Sequence, residues 1–235
     1  MDYTGISKGS PHDAVSTRRS LSDRSTATIV GVLFIIGTVA GALSFVITGP
    51  ILSGADFLTR IAAHRPQMVL GTLLLLTMGF ALAMVPVVFY PVARCYSEIL
   101  ATGYVVFRGA LETFTYIVGA LGWLLLVALS QAPAATATPI AGSILLAEGV
   151  LWDQMIAIPF ILGALMFYWL LYRSRLVPRW LSIWGLVGAA LYIVAPVASM
   201  LGLSLGILMA PLAIQEMVMA VWLIAKGFSS GVAAA

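Results

Sequence analysis

The apolar segment at residues 107–129, FRGALETFTYIVGALGWLLLVAL, decides the fold class. It exceeds the roughly 20 residues of helix that cross a hydrocarbon core about 30 Å thick. Its only charged side chains are Arg108 and Glu112. Because the segment does not alternate between apolar and polar residues, as a membrane β-strand would, we predict a transmembrane helix.

The whole chain has the composition of a membrane protein. Apolar residues make up 61% and charged residues 9% of its 235 residues, and the mean hydropathy is +1.06. A soluble domain of this composition would aggregate, so we predict an all-α, polytopic membrane protein with six transmembrane helices. The predicted spans are Thr28–Thr48, Met68–Val92, Gly103–Leu129, Val150–Tyr172, Leu181–Leu201 and Ser204–Ala225.

The ends of the chain are predicted to lie outside this bundle. Residues 1–25 are polar and rich in serine, which is typical of a disordered tail rather than a signal peptide. The predicted transmembrane domain covers residues 26–228, and a short C-terminal tail covers residues 229–235.

The distribution of lysine and arginine predicts the orientation. With the amino terminus inside, ten of the 12 basic residues lie on the inner side or at inner helix ends, and only Arg60 and Arg65 lie outside. Both termini are therefore predicted to be cytoplasmic. Because topology accounts for the net charge of +3, we expect no nucleic-acid partner.

Motifs for nucleotide, metal or disulfide chemistry are missing. The sequence holds no P-loop, no GxGxxG and no HExxH motif, and His12 and His64 lie in the tail and an outer loop. The single cysteine, Cys95, excludes an intramolecular disulfide and a Cys-rich metal site. We expect neither a metal nor a cofactor.

Two connections between spans have recognisable patterns. Ser53–Gln67 carries apolar residues at helical spacing, which predicts a short interfacial helix outside the membrane. The inner connection YRSRLVPRW contains Arg173, Arg175 and Arg179, which either set the topology or bind an anionic head group.

Three charged residues lie inside apolar runs: Arg108, Glu112 and Glu216. Counting from Gly103 places Glu112 about 13–14 Å deep, and counting from Lys226 places Glu216 about 15 Å deep. Both carboxyls are therefore predicted at the bilayer midplane, where an ion is most costly. Arg108 either pairs with Glu112, four residues later, or reaches Glu216 across the bundle. We expect one of the two acids to hold a proton near neutral pH, and a structural role in helix register is the alternative.

Helical spacing places aromatic residues beside these charges. The predicted inward stripe of the third span consists of Arg108, Glu112, Tyr116, Gly119 and Trp123. The comparable stripe of the fourth span consists of Asp153, Ile156, Phe160, Gly163 and Phe167, with Asp153 near the outer boundary. Together the stripes predict a cavity lined by acids and aromatic rings.

Parts of the chain resemble a known family. The segments YRSRLVPRWLSIWGLVGAALY, FRGALETF and QEMVMAVWLIAKGF, together with the six-span layout, resemble small multi-spanning membrane proteins classed as a domain of unknown function (DUF4386-like). This resemblance implies the architecture and places Arg108, Glu112 and Glu216 at family motif positions, but it supplies no reaction. In size and in its buried acids the chain also looks like integral-membrane terpene cyclases, although no motif is shared.

From these residues we hypothesise an enzyme that cyclises a lipidic isoprenoid by protonation, an isomerase or lyase of secondary metabolism. Either Glu112 or Glu216 would be the general acid, the other its electrostatic partner, Arg108 the charge balance and Asp153 a second acid or final base. The residues expected to bind the substrate and stabilise a carbocation are Tyr116, Trp123, Phe160 and Phe167.

Two other readings use the same residues. Glu112 and Glu216 each lie in the third helix of a three-helix half, so a proton-coupled small-molecule transporter with inverted halves is one alternative. An accessory membrane protein without catalysis is the other. The expected partners are a lipophilic small molecule and the lipid bilayer. Assembly into a homo-oligomer is compatible with the sequence.

Overall fold

A computed structural model describes residues 11–229, without the side chains of residues 11–22 and of residue 135. The described part is helical and contains no strand. Six of its helical stretches are long and apolar enough to cross a membrane, which confirms the predicted class. These six spans are Asp23–Leu52, Arg65–Ala93, Glu98–Leu129, Thr136–Ser174, Arg179–Met200 and Gly206–Ala225.

Several spans are assembled from more than one helix. The α-helices are α1 (Pro11–Leu52), α2 (Phe57–Ala63), α3 (Arg65–Ala93), α4 (Glu98–Tyr104), α5 (Glu112–Leu129), α6 (Ala134–Val150), α7 (Ala157–Ser174), α8 (Arg179–Tyr192), α9 (Val194–Met200) and α10 (Ala210–Ala225). A π-helical segment, Val105–Leu111, joins α4 to α5, and a second, Leu151–Met155, joins α6 to α7. A 3₁₀ turn, Gly206–Met209, leads into α10.

The spans form a closed ring in which each span packs against its neighbours in sequence. α1 contacts α3 and α10, α3 contacts α5, the third span contacts α7, α7 contacts α8, and α8 contacts α10. Glycines let the first two spans approach closely, because a Cβ on Gly37 would lie 2.7 Å from Leu82 and one on Gly41 would overlap Met78. The interior of this ring is the only environment that can hide a charge from lipid on all sides.

The two ends of the ring differ in charge. At one end, which we call the basic end, Arg24 donates hydrogen bonds to the carbonyls of Ile224 (3.1 Å) and Ala225 (3.0 Å), so the start of the first span caps the last helix. The amide of Ser229 also donates to the carbonyl of Leu176 (2.8 Å) there. The other residues of the basic end are Arg94, Arg173, Arg175, Arg179 and Lys226. Which side of the membrane this end faces stays a prediction.

The opposite end carries the predicted interfacial helix. It is α2, which buries Phe57 and Ile61. Arg60, within α2, forms an ion pair with the N-cap residue Asp56 and also donates to the carbonyl of Pro50 (3.0 Å). These bonds tie the connection to the end of the first span.

The helix boundaries depart from the predictions in two places. α1 begins at Pro11, inside the segment predicted as a disordered tail, while residues 1–10 and 230–235 lie outside the described residues. The fourth span begins well before the predicted Val150, because α6 and α7 are continuous through the second π-helical segment. The alanine-rich composition of α6 favours helix despite Pro139.

Candidate functional site

Arg108, Glu112 and Glu216 lie together inside the ring, and we call them the charge cluster. Glu112 is close to the middle of the span Glu98–Leu129, and Glu216 is close to the middle of the span Gly206–Ala225. Arg108 is 2% exposed and Glu112 is fully buried. The cluster therefore sits near half the height of the bundle, as the sequence predicted.

A π-helical turn positions the arginine. Arg108 belongs to the π-helical segment Val105–Leu111, in which each backbone hydrogen bond spans five residues instead of the four of an α-helix. Gly163 of α7 makes room for it, since a Cβ there would lie 3.1 Å from both Cβ and the backbone nitrogen of Arg108. The turn and the glycine together bring the third and fourth spans close at the height of the guanidinium.

The guanidinium bridges the two glutamates. Arg108 Nη1 lies 3.1 Å from Glu112 Oε2, and Arg108 Nη2 lies 3.4 Å from Glu216 Oε1. The other oxygen of Glu112 accepts a hydrogen bond of 2.7 Å from the hydroxyl of Tyr116. Both pairings left open by the sequence therefore form at once, one within the third span and one across the ring.

The two carboxyls differ in their surroundings. Both oxygens of Glu112 accept hydrogen bonds, and its side chain is fully buried. Glu216 accepts a single described hydrogen bond, and its side chain is 14% exposed. Glu216 is thus the carboxyl with an oxygen free to bind a proton.

The charge of the cluster favours a bound proton. Two carboxylates and one guanidinium sum to one negative charge, and no further cation among the described residues forms an ion pair with the cluster. A net charge in a hydrocarbon environment is costly, whereas one bound proton makes the cluster neutral. We therefore expect the neutral, singly protonated cluster to be the resting state.

Aromatic rings surround the guanidinium. Its Cζ atom lies 4.7 Å from the ring centre of Phe160 and 5.8 Å from that of Phe34, both within the range of a cation–π contact. The ring of Tyr192 lies 4.7 Å from that of Phe160. The Nε atom of Arg108 is buried and has no hydrogen-bond partner among the described residues.

No described contact joins the other two predicted substrate-binding residues, Trp123 and Phe167, directly to the cluster. Trp123 packs edge-on against Phe45, with ring centres 5.8 Å apart. Phe167 stacks on Tyr104 at 4.7 Å and meets Phe89 edge-on at 5.4 Å. Of the four predicted rings, Tyr116 and Phe160 therefore contact the cluster, and Trp123 and Phe167 pack in the core.

Asp153 does not join the cluster. It is exposed, and no described hydrogen bond or ion pair links it to either glutamate. It lies in the π-helical segment Leu151–Met155, whose extra residue rotates the stripe predicted from α-helical spacing by about 100°. Asp153 instead lines a separate cavity of about 310 Å³ with Ser199 and Ser204. A second cavity, of about 340 Å³, lies on the outer face of the third and fourth spans, and neither cavity is lined by the charge cluster.

Sequence reasoning left a further buried acid, Glu148, out of the candidate site. Glu148 is 6% exposed and accepts a 2.8 Å hydrogen bond from the indole of Trp152, and Gly122 leaves the space for its carboxyl. The ring of Trp152 lies 6.2 Å from that of Tyr116, so aromatic contacts connect Glu148 to the cluster. The four-residue spacing of Glu148 and Trp152 was the available signal.

A buried polar pair beside Glu216 was also missed. Tyr168 donates a 2.6 Å hydrogen bond to Gln215 Oε1, and Gln215 Nε2 donates to the carbonyl of Leu181 (3.0 Å). Gln215 is fully buried and precedes Glu216 directly. These bonds fix α10 against α7 and α8, and so fix the height of Glu216.

Metal binding has no support in the described residues. No group of three or more His, Cys, Asp or Glu side chains there could hold a metal ion. The two carboxyls, one guanidinium and one phenol of the cluster and its neighbour Tyr116 can compensate charge and transfer protons.

Comparisons with known proteins identify a family but no activity. No curated protein and no solved structure matches the chain. A family model described as "Domain of unknown function (DUF4386)" matches residues 29–227, from the first span through the last. This match reaches all six spans and includes the whole charge cluster, and the chain therefore belongs to the DUF4386 family.

Proposed function

We propose that this membrane protein acts by proton transfer at the charge cluster, and that its reaction is the proton-initiated cyclisation of an isoprenoid chain. The observation that supports the proposal is that Arg108 contacts two different carboxyls. Both oxygens of the fully buried Glu112 accept hydrogen bonds, whereas Glu216 accepts a single described one. An acid of this kind, neutral and in apolar surroundings, suits the protonation of an alkene or epoxide.

Glu216 is the proton donor in this proposal. Its O–H bond breaks as a C–H bond forms at one alkene carbon, which leaves a carbocation on the neighbouring carbon. The electron pair of the next double bond closes the ring, and loss of a proton from carbon returns that proton to the carboxylate. The product is an isomer of the substrate, so the reaction needs no cofactor.

The remaining residues of the site hold charge. After donation the cluster carries one negative charge, which faces the carbocation; Arg108 contacts both carboxylates, and Tyr116 keeps Glu112 oriented towards the arginine. The electron-rich faces of Phe160 and Tyr192 would stabilise the carbocation. Asp153 has no role in this scheme, because it lies outside the cluster.

The test is conversion of a farnesylated or geranylgeranylated acceptor, or its epoxide, by membranes that contain the protein. Glu216→Gln should lower the rate by about 10²–10⁴-fold, because the proton donor is lost. Glu112→Gln should have a similar effect. Without the second carboxylate, Arg108 and an ionised Glu216 form a neutral pair, so Glu216 no longer holds a proton that it can donate. Glu148→Gln is the matched control, a buried acid outside the cluster, and should leave conversion unchanged. Turnover retained by both cluster variants, at unchanged protein abundance, would refute the assignment.

Proton-coupled transport is the second candidate, and a different observation favours it. Arg108–Glu216 is the one ion pair among the described residues that joins two spans, since Arg108–Glu112 and Arg60–Asp56 each lie within four residues. Protonation of Glu216 would weaken this contact across the ring, so proton binding could favour a different arrangement of the third and sixth spans.

Sealed vesicles distinguish the two functions. A carrier should produce a substrate flux that depends on the pH gradient and that Glu216→Gln abolishes, whereas a cyclase should convert its substrate without a gradient. If Glu216→Gln changes neither conversion nor flux but lowers the free energy of unfolding, the cluster has a structural role, as the hypothesis of a non-catalytic accessory protein requires.

A further inference from the structure

The seam between the third and fourth spans carries two cavities on its membrane-facing side. One, of about 130 Å³, lies at the basic end and is lined by Tyr96, Ser97, Leu100, Leu170, Arg173 and Ser174. The other, of about 340 Å³, lies further along the same two spans. Both cavities therefore lie along the same pair of spans.

The cavity at the basic end suits an anion. Arg173 is exposed, and no described carboxylate pairs with it. Ser97 accepts a hydrogen bond from the amide of Leu100 (3.4 Å), while its own hydroxyl proton has no described acceptor. A guanidinium and a hydroxyl donor that converge on one cavity provide the donors that a phosphate group accepts.

The larger cavity suits a hydrocarbon chain. Its lining side chains are apolar except for one threonine, and they are Phe107, Leu111, Phe114, Thr115, Val118, Leu151, Met155, Ile158 and Pro159. Thr115 donates its hydroxyl to the carbonyl of Glu112 (2.6 Å), so its hydrogen-bonding capacity is used within the helix. Nothing in this lining would bind a polar head group.

A flexible contact separates the two cavities. The side chain of Met166 lies against Gly103, where a Cβ would overlap its sulfur atom. Methionine adapts its shape at low cost, so a chain can pass over it. From Leu100 to Leu111 the chain, first α-helical and then π-helical, rises at most about 16 Å, which is comparable to the half-thickness of about 15 Å that one acyl chain spans.

We propose that this seam binds one anionic phospholipid, with its phosphate at Arg173 and Ser97 and one acyl chain over Met166 in the apolar cavity. Charge complementarity at the basic end and the uniform apolar lining beyond it support this occupant. The proposal is independent of the reaction proposed above, because the lipid site lies outside the ring and the charge cluster inside it.

Native mass spectrometry of the full chain, released from detergent micelles with added palmitoyl-oleoyl phosphatidylglycerol, tests the site. Wild-type protein should retain this lipid in preference to the phosphatidylcholine with the same chains. Arg173→Gln should weaken retention about fivefold, the effect of one basic residue near an anionic lipid. Arg175→Gln is the matched control, with the same charge change two residues away, and should have a smaller effect.

A groove variant and a soluble anion complete the test. Val118→Trp fills the apolar cavity and should weaken retention of the long-chain lipid but not of dihexanoyl phosphatidylglycerol. Inorganic phosphate at millimolar concentration should not displace the lipid. Equal effects of the two arginine variants, an ineffective Val118→Trp or displacement by phosphate would each overturn the proposal, provided that circular dichroism and gel filtration show folded variants.

Discussion

Replacing Arg108 by methionine should be among the most destabilising single changes in this protein. The substitution removes the contacts at 3.1 Å and 3.4 Å to Glu112 and Glu216, as well as the cation–π contact of 4.7 Å with Phe160. It leaves two acids facing each other inside the ring without a cation. Removing one partner of a buried ion pair costs about 3–5 kcal/mol, and we expect the free energy of unfolding to fall by that amount.

A triple variant separates the lost cation from the lost volume. Arg108→Met combined with Glu112→Gln and Glu216→Gln leaves no ionisable side chain in the charge cluster, and Tyr116 can still donate to the amide oxygen at position 112. We therefore expect it to recover most of the loss, since neutral replacement of a whole buried ion cluster costs little.

The assay is reversible unfolding in mixed micelles. The mole fraction of dodecyl sulfate is raised, and the loss of helix is followed by circular dichroism. Arg175→Met, an exposed arginine at the basic end, serves as the control and should stay within about 0.5 kcal/mol of wild type. A loss below about 1 kcal/mol for Arg108→Met, or a triple variant as unstable as the single one, would refute the reasoning.

Two further predictions concern the end opposite the basic residues. Gly122→Ala should lower the free energy of unfolding by about 1–2 kcal/mol in the same assay, because its Cβ displaces the Glu148 carboxyl. The control Gly149→Ala, which has open space, should instead be neutral or stabilising. Hydrogen bonding by Arg60 lowers the pKa of Asp56 below its usual range. The pair should therefore stabilise the connection above the usual aspartate pKa of about 3.9 and cease to do so as the pH falls through the lowered value. Carbon-13 titration of Asp56 should show an ordinary pKa in Arg60→Gln, and an unchanged value there would contradict this.

Much of the fold could be predicted because lipid imposes simple rules on sequence. Backbone groups in hydrocarbon must bond internally, so each long apolar run had to be a helix. The interfacial helix α2 was also predicted, from Phe57 and Ile61 at helical spacing. The start of the fourth span was not predicted, because Pro133 and Pro139, with the threonines between them, are typical of a loop, although the alanines of α6 favour helix.

The candidate site could be predicted only in part. Glu112 and Tyr116 are four residues apart on one α-helical face, and their hydrogen bond follows from that spacing. Asp153 was placed with the acids because α-helical periodicity was assumed through residues 151–155, where the backbone is π-helical. Backbone widening of this kind leaves no periodic signal in a single sequence.

The sequence by itself placed Glu112 and Glu216 near the middle of their spans, because helix rise fixes the distance of a residue from the end of its span. Their depth in the bilayer stays a prediction. The sequence also predicted that Arg108, Glu112 and Glu216 would form ion pairs with each other, since an unpaired ion inside the membrane has a high free energy. Only the tertiary structure decided how they pair. The closed ring brings the sixth span opposite the third, so one guanidinium bonds both glutamates, and one oxygen of Glu216 has no hydrogen-bond partner among the described residues. Contacts between distant segments depend on how whole helices pack, and packing is a property of all six spans together.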